Sequence, residues 1–437
     1  MTTLVLGVDV GTSSVKVGVA VDGALSVPAA RVAVPWTTTA TGAEIDPHVL
    51  FDVVLEAVRQ ACAAWSDASV AAIGVASFAE STVLLGRDGE PASALVAWHD
   101  TRGAAEAEAL GEAIGAETFS AMVGLPVSPL CSAVKTRAAA GSGVDLTKVS
   151  AVLSVTDWIV HRLTGTRGFD LSLAARTGWL DLASRSWAGD LVSWTGLRAA
   201  AMPELRDSGA ARGRVRADVA GVSAPLVGAV VVAAGMDHLV AAVGATAAAP
   251  GDVWDSCGTA EAFVRSTGPL DSTSVLSAVK LGLTVGWHAD PSHQVILGAQ
   301  RSGYVFQRVL GLLGVGTAED LQRFEAGAVP VGDSSATLSF DRLYDATYAI
   351  GGLTSRTRPQ DVWAALVSRV AADGAALLRQ ADAVAGPHAR VVMGGGWAAS
   401  VWFQDAKRAH DPDIATTSIE QPGAEGAAVL ASRALDG

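Results

Sequence analysis

Twice in this chain an apolar segment carries an aspartate into a Gly-Thr turn. The first is Val8-Asp9-Val10-Gly11-Thr12, and the second, Val253-Trp254-Asp255-Ser256-Cys257-Gly258-Thr259, is one residue longer between Asp and Gly. Leu4 to Val10 alternates as a strand, Gly11-Thr12-Ser13-Ser14 turns the chain, and Val15 to Val21 alternates again, so the first copy reads as a hairpin. Such a turn aims backbone and hydroxyl donors at one spot, which suits phosphate oxygens. An ordinary hairpin with a glycine turn accounts for the same residues equally well. One short echo is thin evidence of duplication, yet it already points to two α/β halves with similar beginnings.

The rest of the chain agrees with α/β. It has 437 residues, more than one ordinary core holds and enough for two or three domains. A third strand is expected near Arg31 to Val34, and Asp46-Pro47 starts a helix with Asp as cap. Leu50, Val53, Val54, Ala57, Val58 and Ala61 give that helix its apolar stripe. Strands follow at Val70 to Ser77, Thr82 to Leu85 and Val227 to Ala234, and helices at Ala104 to Ile114 and Asp157 to Leu163. Ala247-Ala248-Ala249-Pro250-Gly251 reads as a domain joint. Beyond it come a long helix from Pro359 to about Val384, a strand from Arg390 to Met393, and helices at Ala398 to Ala409 and Gly423 to Leu435.

Charge and composition remove several function classes. Lysine plus arginine is 31 against 44 acids, a net charge of −13, with no basic run, so nucleic acid is not an expected partner. The most membrane-like stretch, Leu226 to Ala249, is broken by Asp237 and His238. Each arm falls short of the roughly 20 apolar residues that span a bilayer, so no membrane partner is expected. The start lacks the basic region of a signal peptide. Cys62, Cys131 and Cys257 are scattered, with neither a disulfide framework nor a zinc spacing. A reduced, cytoplasmic enzyme is expected.

No Gly-x-x-x-x-Gly-Lys-Ser/Thr occurs, which excludes a P-loop. Gly394-x-Gly396-x-x-Ala399 loosely matches a dinucleotide fingerprint, but no convincing acid follows at the required spacing. Ala234-Gly235-Met236-Asp237-His238 ends an apolar strand and opens a helix. Asp237 is therefore either a helix cap or a base set at a cleft, and in both cases the helix N-terminus favours its anion. Asp9, beside the first Gly-Thr turn, is a candidate for hydrated magnesium.

Taken in order, these motifs resemble those of the FGGY carbohydrate kinases, a branch of the actin/hexokinase/Hsp70 ATPase superfamily. The resemblance rests on Gly7-Val8-Asp9-Val10-Gly11-Thr12-Ser13-Ser14-Val15-Lys16, Trp98-His99-Asp100-Thr101-Arg102, and Thr156-Asp157-Trp158-Ile159 with Asp170, Ser172 and Ala175. It continues through Gly235-x-Asp237, Gly258-Thr259, Gly394-Gly395-Gly396 to Ser400, and Gly423-Ala424-Glu425-Gly426-Ala427-Ala428. It implies an α/β fold of two actin-like (ribonuclease H-like) domains, 1–247 with sugar site and base and 248–437 with nucleotide site, and ATP and sugar in the cleft. It also implies ATP-dependent phosphorylation of a small sugar, a ketose such as xylulose, or a polyol.

By the same resemblance Asp237 is the catalytic base, Asp9 positions magnesium, and Gly11, Thr12 and Ser13 lie at the transferring phosphate. Lys16 is either a phosphate neutraliser or a solvated strand lysine. Gly258 and Thr259 cradle phosphates, and Gly394, Gly395, Gly396 and Ser400 face the nucleotide. Glu80, Asp100, Arg102 and His238 fall in the sugar pocket, with a structural salt bridge as the alternative for Asp100 and Arg102. A homodimer is compatible with this family.

Three departures stand out. The pocket tryptophan of the family's Trp-x-Glu-x-Asp-Pro is Gly42 here, the second phosphate loop continues Ala260-Glu261, and Leu343-Tyr344-Asp345 replaces a Gly-Glu-Arg segment. A silent nucleotide or sugar sensor on the same fold is the alternative function; retention of Asp9, Thr12, Asp237 and Gly258-Thr259 argues against it.

Overall fold

The computed structural model describes residues 3–21, 24–65, 68–326 and 338–436. They pack as two compact units: residues 1–250, 266–295 and 421–437, and residues 251–265 and 296–420. Packing thus divides the chain differently from the linear boundary at 247/248. The last helix, Pro422–Asp436, belongs with the first unit because its small residues close-pack there.

The first unit is built on β1 (Thr3–Val10), β2 (Ser14–Val21), β3 (Ala24–Ala33), α1 (Pro47–Cys62), β4 (Ser69–Ser77), β5 (Ala211–Arg214) and β6 (Val230–Met236). Its sheet order is β5-β6-β4-β1-β2-β3. β1 runs antiparallel to β2 and parallel to β4, and β6 runs parallel to β4. The central strands are buried almost throughout, as near-continuous Val/Ile/Leu runs require when both faces are covered. One face packs on α1, whose N-cap Asp46 accepts from the His48 N–H at 2.8 Å and whose Leu50, Phe51, Val54 and Val58 are buried.

The other face carries the last helix, and here glycine decides the geometry. A Cβ on Gly7 would lie 1.8 Å from the Ala424 carbonyl oxygen, and one on Gly74 2.1 Å from that of Ala427. Backbone therefore rests on backbone. The Gly423-to-Ala428 run, which the resemblance assigns to the nucleotide side, lies against the first unit's sheet and against α2 (Asp237–Gly244).

The second unit repeats the plan. β7 (Asp252–Cys257) runs antiparallel to β8 (Glu261–Thr267) and parallel to β10 (Arg390–Gly394), which pairs parallel with β11 (Ala415–Thr416); β9 (Gln294–Gln300) lies beyond β8. α3 (Pro359–Ala385) covers this sheet, and its Trp363 packs edge-on against Phe306, which also meets Phe403 at 5.0 Å. The pairing of β7 matches that of β1, so the sequence echo marks equivalent hairpins.

Asp255 does not copy Asp9. It is 1% exposed, and Lys407 Nζ reaches it at 2.5 Å while also binding Glu261. Asp255, Cys257 and Glu261 group as cation ligands would, but the lysine already supplies the charge. Burial pushes Asp255 up, to about 7, against the pull of Lys407. Glu261, also bonded by Gln300 Nε2 at 2.8 Å, is thereby structural. Lys407→Met leaves two buried acids unpaired and is expected to cost about 3–5 kcal/mol, read by urea unfolding. A loss below about 1 kcal/mol would show that the acids find other partners or neutralise freely.

Local boundaries shift for identifiable reasons. β3 begins well before Arg31, where Pro28 hides the alternation. β6 starts at Val230 because Gly228, at φ +85°, still turns the chain. The helix expected from Asp157 starts at Val155, capped by Ser154. Among the described residues no helix is long and apolar enough to cross a membrane.

Candidate active site

Asp237 is the first residue of α2, following the buried end of β6. The N-cap position is Met236, with no side-chain cap bond, so Asp237 is not a cap. Gly235 (φ +115°) makes the strand-to-helix turn, and a Cβ there would lie 2.5 Å from Ser172 Oγ. That hydroxyl accepts from the Met236 N–H at 3.0 Å and donates to Asp170 Oδ1 at 2.6 Å. Asp170 in turn donates its N–H to Asp157 Oδ2 at 3.0 Å. A buried polar chain thus stands behind the turn and fixes where Asp237 points.

Burial pushes the Asp237 carboxyl up, to about 6. His238 draws it down, in part through its backbone N–H, which donates to Asp237 Oδ1 at 2.8 Å, and the negative charges of Asp9 and Glu80 push it further up. Asp237, Asp9 and Glu80 therefore share one electrostatic neighbourhood within the first unit.

Asp9 sits one residue from the end of β1, opposite Lys16 in the β1–β2 register, and Lys16 Nζ reaches its Oδ2 at 3.2 Å. Gly423, in the first turn of the last helix, also abuts it: a Cβ there would come 2.8 Å from Asp9 Oδ2. The adjoining turn is anchored by two indoles. Trp36 Nε1 donates to the Thr12 carbonyl at 2.5 Å, and Trp98 Nε1 to Thr12 Oγ1 at 2.8 Å. Ser13 is exposed.

Glu80 holds a left-handed backbone (φ +57°), unusual for a residue with a side chain. Arg176 Nε grips its Oε1 at 2.7 Å, and Arg176 also donates to Thr284 Oγ1 at 2.8 Å. Asp100 is wholly buried and takes a two-pronged bond from Arg102, 3.1 Å from Nε and 2.9 Å from an Nη; that Nη also reaches Glu44 at 2.9 Å. Burial alone would raise Asp100, but these bonds hold it well below the usual carboxylate range. Asp100 and Arg102 are thus paired, as both readings open for them require. The position of Asp100 also explains Gly42, since a Cβ there would lie 2.6 Å from Asp100 Cα.

In the second unit Gly258 and Thr259 form the β7–β8 turn, with the Thr259 carbonyl accepting from the Tyr304 N–H at 2.9 Å. Gly394 is buried, and its missing side chain makes room for Trp254: a Cβ would lie 2.4 Å from that ring. Gly395 (φ +97°) and Gly396 are exposed, and nothing lies within 4 Å of a Cβ on Gly396. Ser400 is 2% exposed, caps the helix Val401–Arg408 and donates to Glu325 Oε1 at 2.6 Å, so its hydroxyl is used within the fold. Sequence reasoning passed over Arg176 and Lys135. Arg176 is a lone cation among small or apolar residues, a signal that burial must be met by specific partners, whereas Lys135 stands two residues from Arg137 and gives no such signal.

Residues 4–244 match the family described as the FGGY family of carbohydrate kinases, N-terminal domain. The chain belongs to the FGGY carbohydrate kinase family. This FGGY kinase is 28% identical to a glycerol kinase of Allorhizobium ampelinum over 98% of its own length and 89% of the relative's. It is 31% identical to a xylulose kinase of Streptomyces rubiginosus over 49% of its length and 44% of the relative's. A ligand-bound xylulose kinase from Lactobacillus acidophilus shares its fold with a TM-score of 0.86 at 20% identity, covering 99% of this FGGY kinase and 90% of that chain.

Proposed function

We propose that this FGGY kinase transfers the γ-phosphoryl group of ATP to a hydroxyl of a small polyol or short ketose, with Asp237 as general base. The observation that carries this reading is the Asp237 carboxyl, placed by the Ser172–Met236 bond and raised to about 6. An acid of that strength is ionised at neutral pH yet basic enough to accept a hydroxyl proton as the new P–O bond forms. The attacking oxygen bonds to phosphorus, its proton passes to an Asp237 oxygen, and ADP leaves. Such a transfer asks the protein mainly for alignment and charge neutralisation.

We assign phosphate oxygens to the Gly11-Thr12-Ser13 and Gly258-Thr259 turns. Gly395 and Gly396, exposed and without side chains, suit the close approach of a nucleotide. The residues also fit magnesium: Asp9 offers a hard oxygen ligand, and its field on Asp237 is one that a divalent cation would relieve. Asp9 would hold it, and bound magnesium would offset phosphate charge. Lys16, already paired with Asp9, supplies further positive charge at the same place.

The acceptor is read from Glu80. A carboxylate fixed by Arg176 suits two neighbouring hydroxyls, which glycerol and a short ketose both offer. The family's pocket tryptophan is absent at Gly42, while Trp36 and Trp98 both reach the Thr12 turn. A screen of ATP consumption over glycerol, short polyols, ketoses and aldoses tests the reading, with turnover expected for glycerol or a short ketose. Glu80→Gln keeps the shape and loses the charge. It is expected to raise the acceptor KM about tenfold, the effect of one charge-assisted hydrogen bond. An unchanged KM would remove Glu80 from the acceptor site.

A further inference from the structure

We infer that Lys135 is a positioning residue of the acceptor pocket, its ammonium tying the backbone of the Glu80 loop to that of the Trp98 loop. The inference rests on the proposed kinase reading. Lys135 lies on the helix Ser132–Gly141 and is 5% exposed. An ammonium has three donors, and all three are used on carbonyl oxygens: Glu80 at 3.1 Å, Ala97 at 3.0 Å and Trp98 at 2.6 Å. Among the described residues no carboxylate lies within ion-pairing distance of it. Methionine would fill the same volume without bringing a charge inside, so the donors are what the position requires.

The three carbonyls belong to loops with side chains in the site. Glu80 keeps its left-handed backbone while a Lys135 donor holds its carbonyl and Arg176 holds its carboxylate. Trp98 presents its indole N–H to Thr12 Oγ1. Ala97 accepts from the Asp100 N–H at 3.1 Å as well. One buried cation therefore sets the spacing between the acceptor carboxylate and the indole on the phosphate turn.

Lys135 does not touch an acceptor itself. The cavity beside it, lined by Glu80, Ser81, Ser132 and Thr136 among others, holds about 20 Å³, room for a water and not for a sugar. Burial pushes its ammonium down, to about 8, while Glu80, Asp100 and Cys131 pull it back up and Arg102 opposes them. It remains largely protonated at neutral pH.

Lys135→Met tests the inference by removing the donors and keeping the bulk. The acceptor KM is expected to rise tenfold or more, with kcat reduced less than threefold and the nucleotide Kd within twofold of wild type. Lys135→Ala, assayed with and without ethylammonium, guards against a Met variant that fails to fold. The added amine is expected to recover most of the lost acceptor affinity. A wild-type acceptor KM in Lys135→Met, or acceptor and nucleotide affinities falling by the same factor, would overturn the positioning role. Absence of any amine rescue in a folded Lys135→Ala would do the same. A wild-type chain that phosphorylates no acceptor in the screen sinks the kinase reading and this inference together, whereas an active wild type beside an unaffected Lys135→Met sinks the inference alone.

Discussion

Gly426→Ala is expected to destabilise the first unit by about 3 kcal/mol or more, although alanine is the better helix former by about 1 kcal/mol. A Cβ at 426 would lie 1.9 Å from the Val240 carbonyl oxygen and 2.9 Å from the Gly244 nitrogen. Both neighbours are backbone of α2, so neither can swing aside as a side chain would. The last helix must lift from α2, losing contacts on either side of the overlap. Because α2 begins at Asp237, activity is expected to fall with stability. Gly111→Ala is the control. It sits in the helix Ala104–Ile114, where the nearest atom to a Cβ is Val127 Cγ1 at 4.0 Å. There the helix propensity is unopposed, and a gain of up to about 1 kcal/mol is expected. Thermal unfolding of the two variants reads the sign directly, and a stabilised Gly426→Ala would show that the helices are not in backbone contact.

Asp237→Asn is expected to lower kcat by about 10²–10⁴, the usual contribution of a positioned base. The same change is expected to stabilise the protein. An acid whose folded pKa is raised, here from 3.8 to about 6, binds its proton more tightly in the fold than in the unfolded chain. Below pH 3.8 both states are protonated and the residue costs nothing. Between 3.8 and about 6 the cost accrues, and above that it is constant. About two pKa units correspond to at most about 3 kcal/mol. Asparagine removes the charge, so its Tm advantage is expected at pH 7.5 and should vanish near pH 3.5. An Asn variant less stable than wild type at pH 7.5 would mean that the anion is stabilised by the fold.

Much of this architecture was legible because pattern and packing agree. The valine-rich alternation around Asp9, the Asp46-Pro47 helix start and the long helix from Pro359 each follow from local chemistry. The Gly-Thr echo proved to mark equivalent hairpins in two sheets with the same pairing of their first strands. What stayed hidden depends on distant partners. Ser400 resembled a nucleotide contact, but Glu325, 75 residues away in sequence, takes its hydroxyl. Asp255 looked like a second Asp9 until Lys407 was seen against it. The close packing at Gly394, Gly423 and Gly426, against Trp254, Asp9 and the backbone of α2, was likewise invisible in the sequence. The roles of Lys135 and Arg176 rest on carbonyls and carboxylates brought together only by folding.

The most direct test of the central claim is the pH dependence of kcat/KM for the best acceptor from the screen, in wild type and Asp237→Asn. kcat/KM reports the free enzyme. Wild type is predicted to lose activity as the pH falls through about 6, as the Asp237 carboxylate takes up its proton. The Asn variant is predicted to run about 10²–10⁴ lower, with that acid limb gone and nucleotide binding retained. Equal rates in the two proteins, or the same acid limb surviving in the variant, would contradict the assignment of Asp237 as the base.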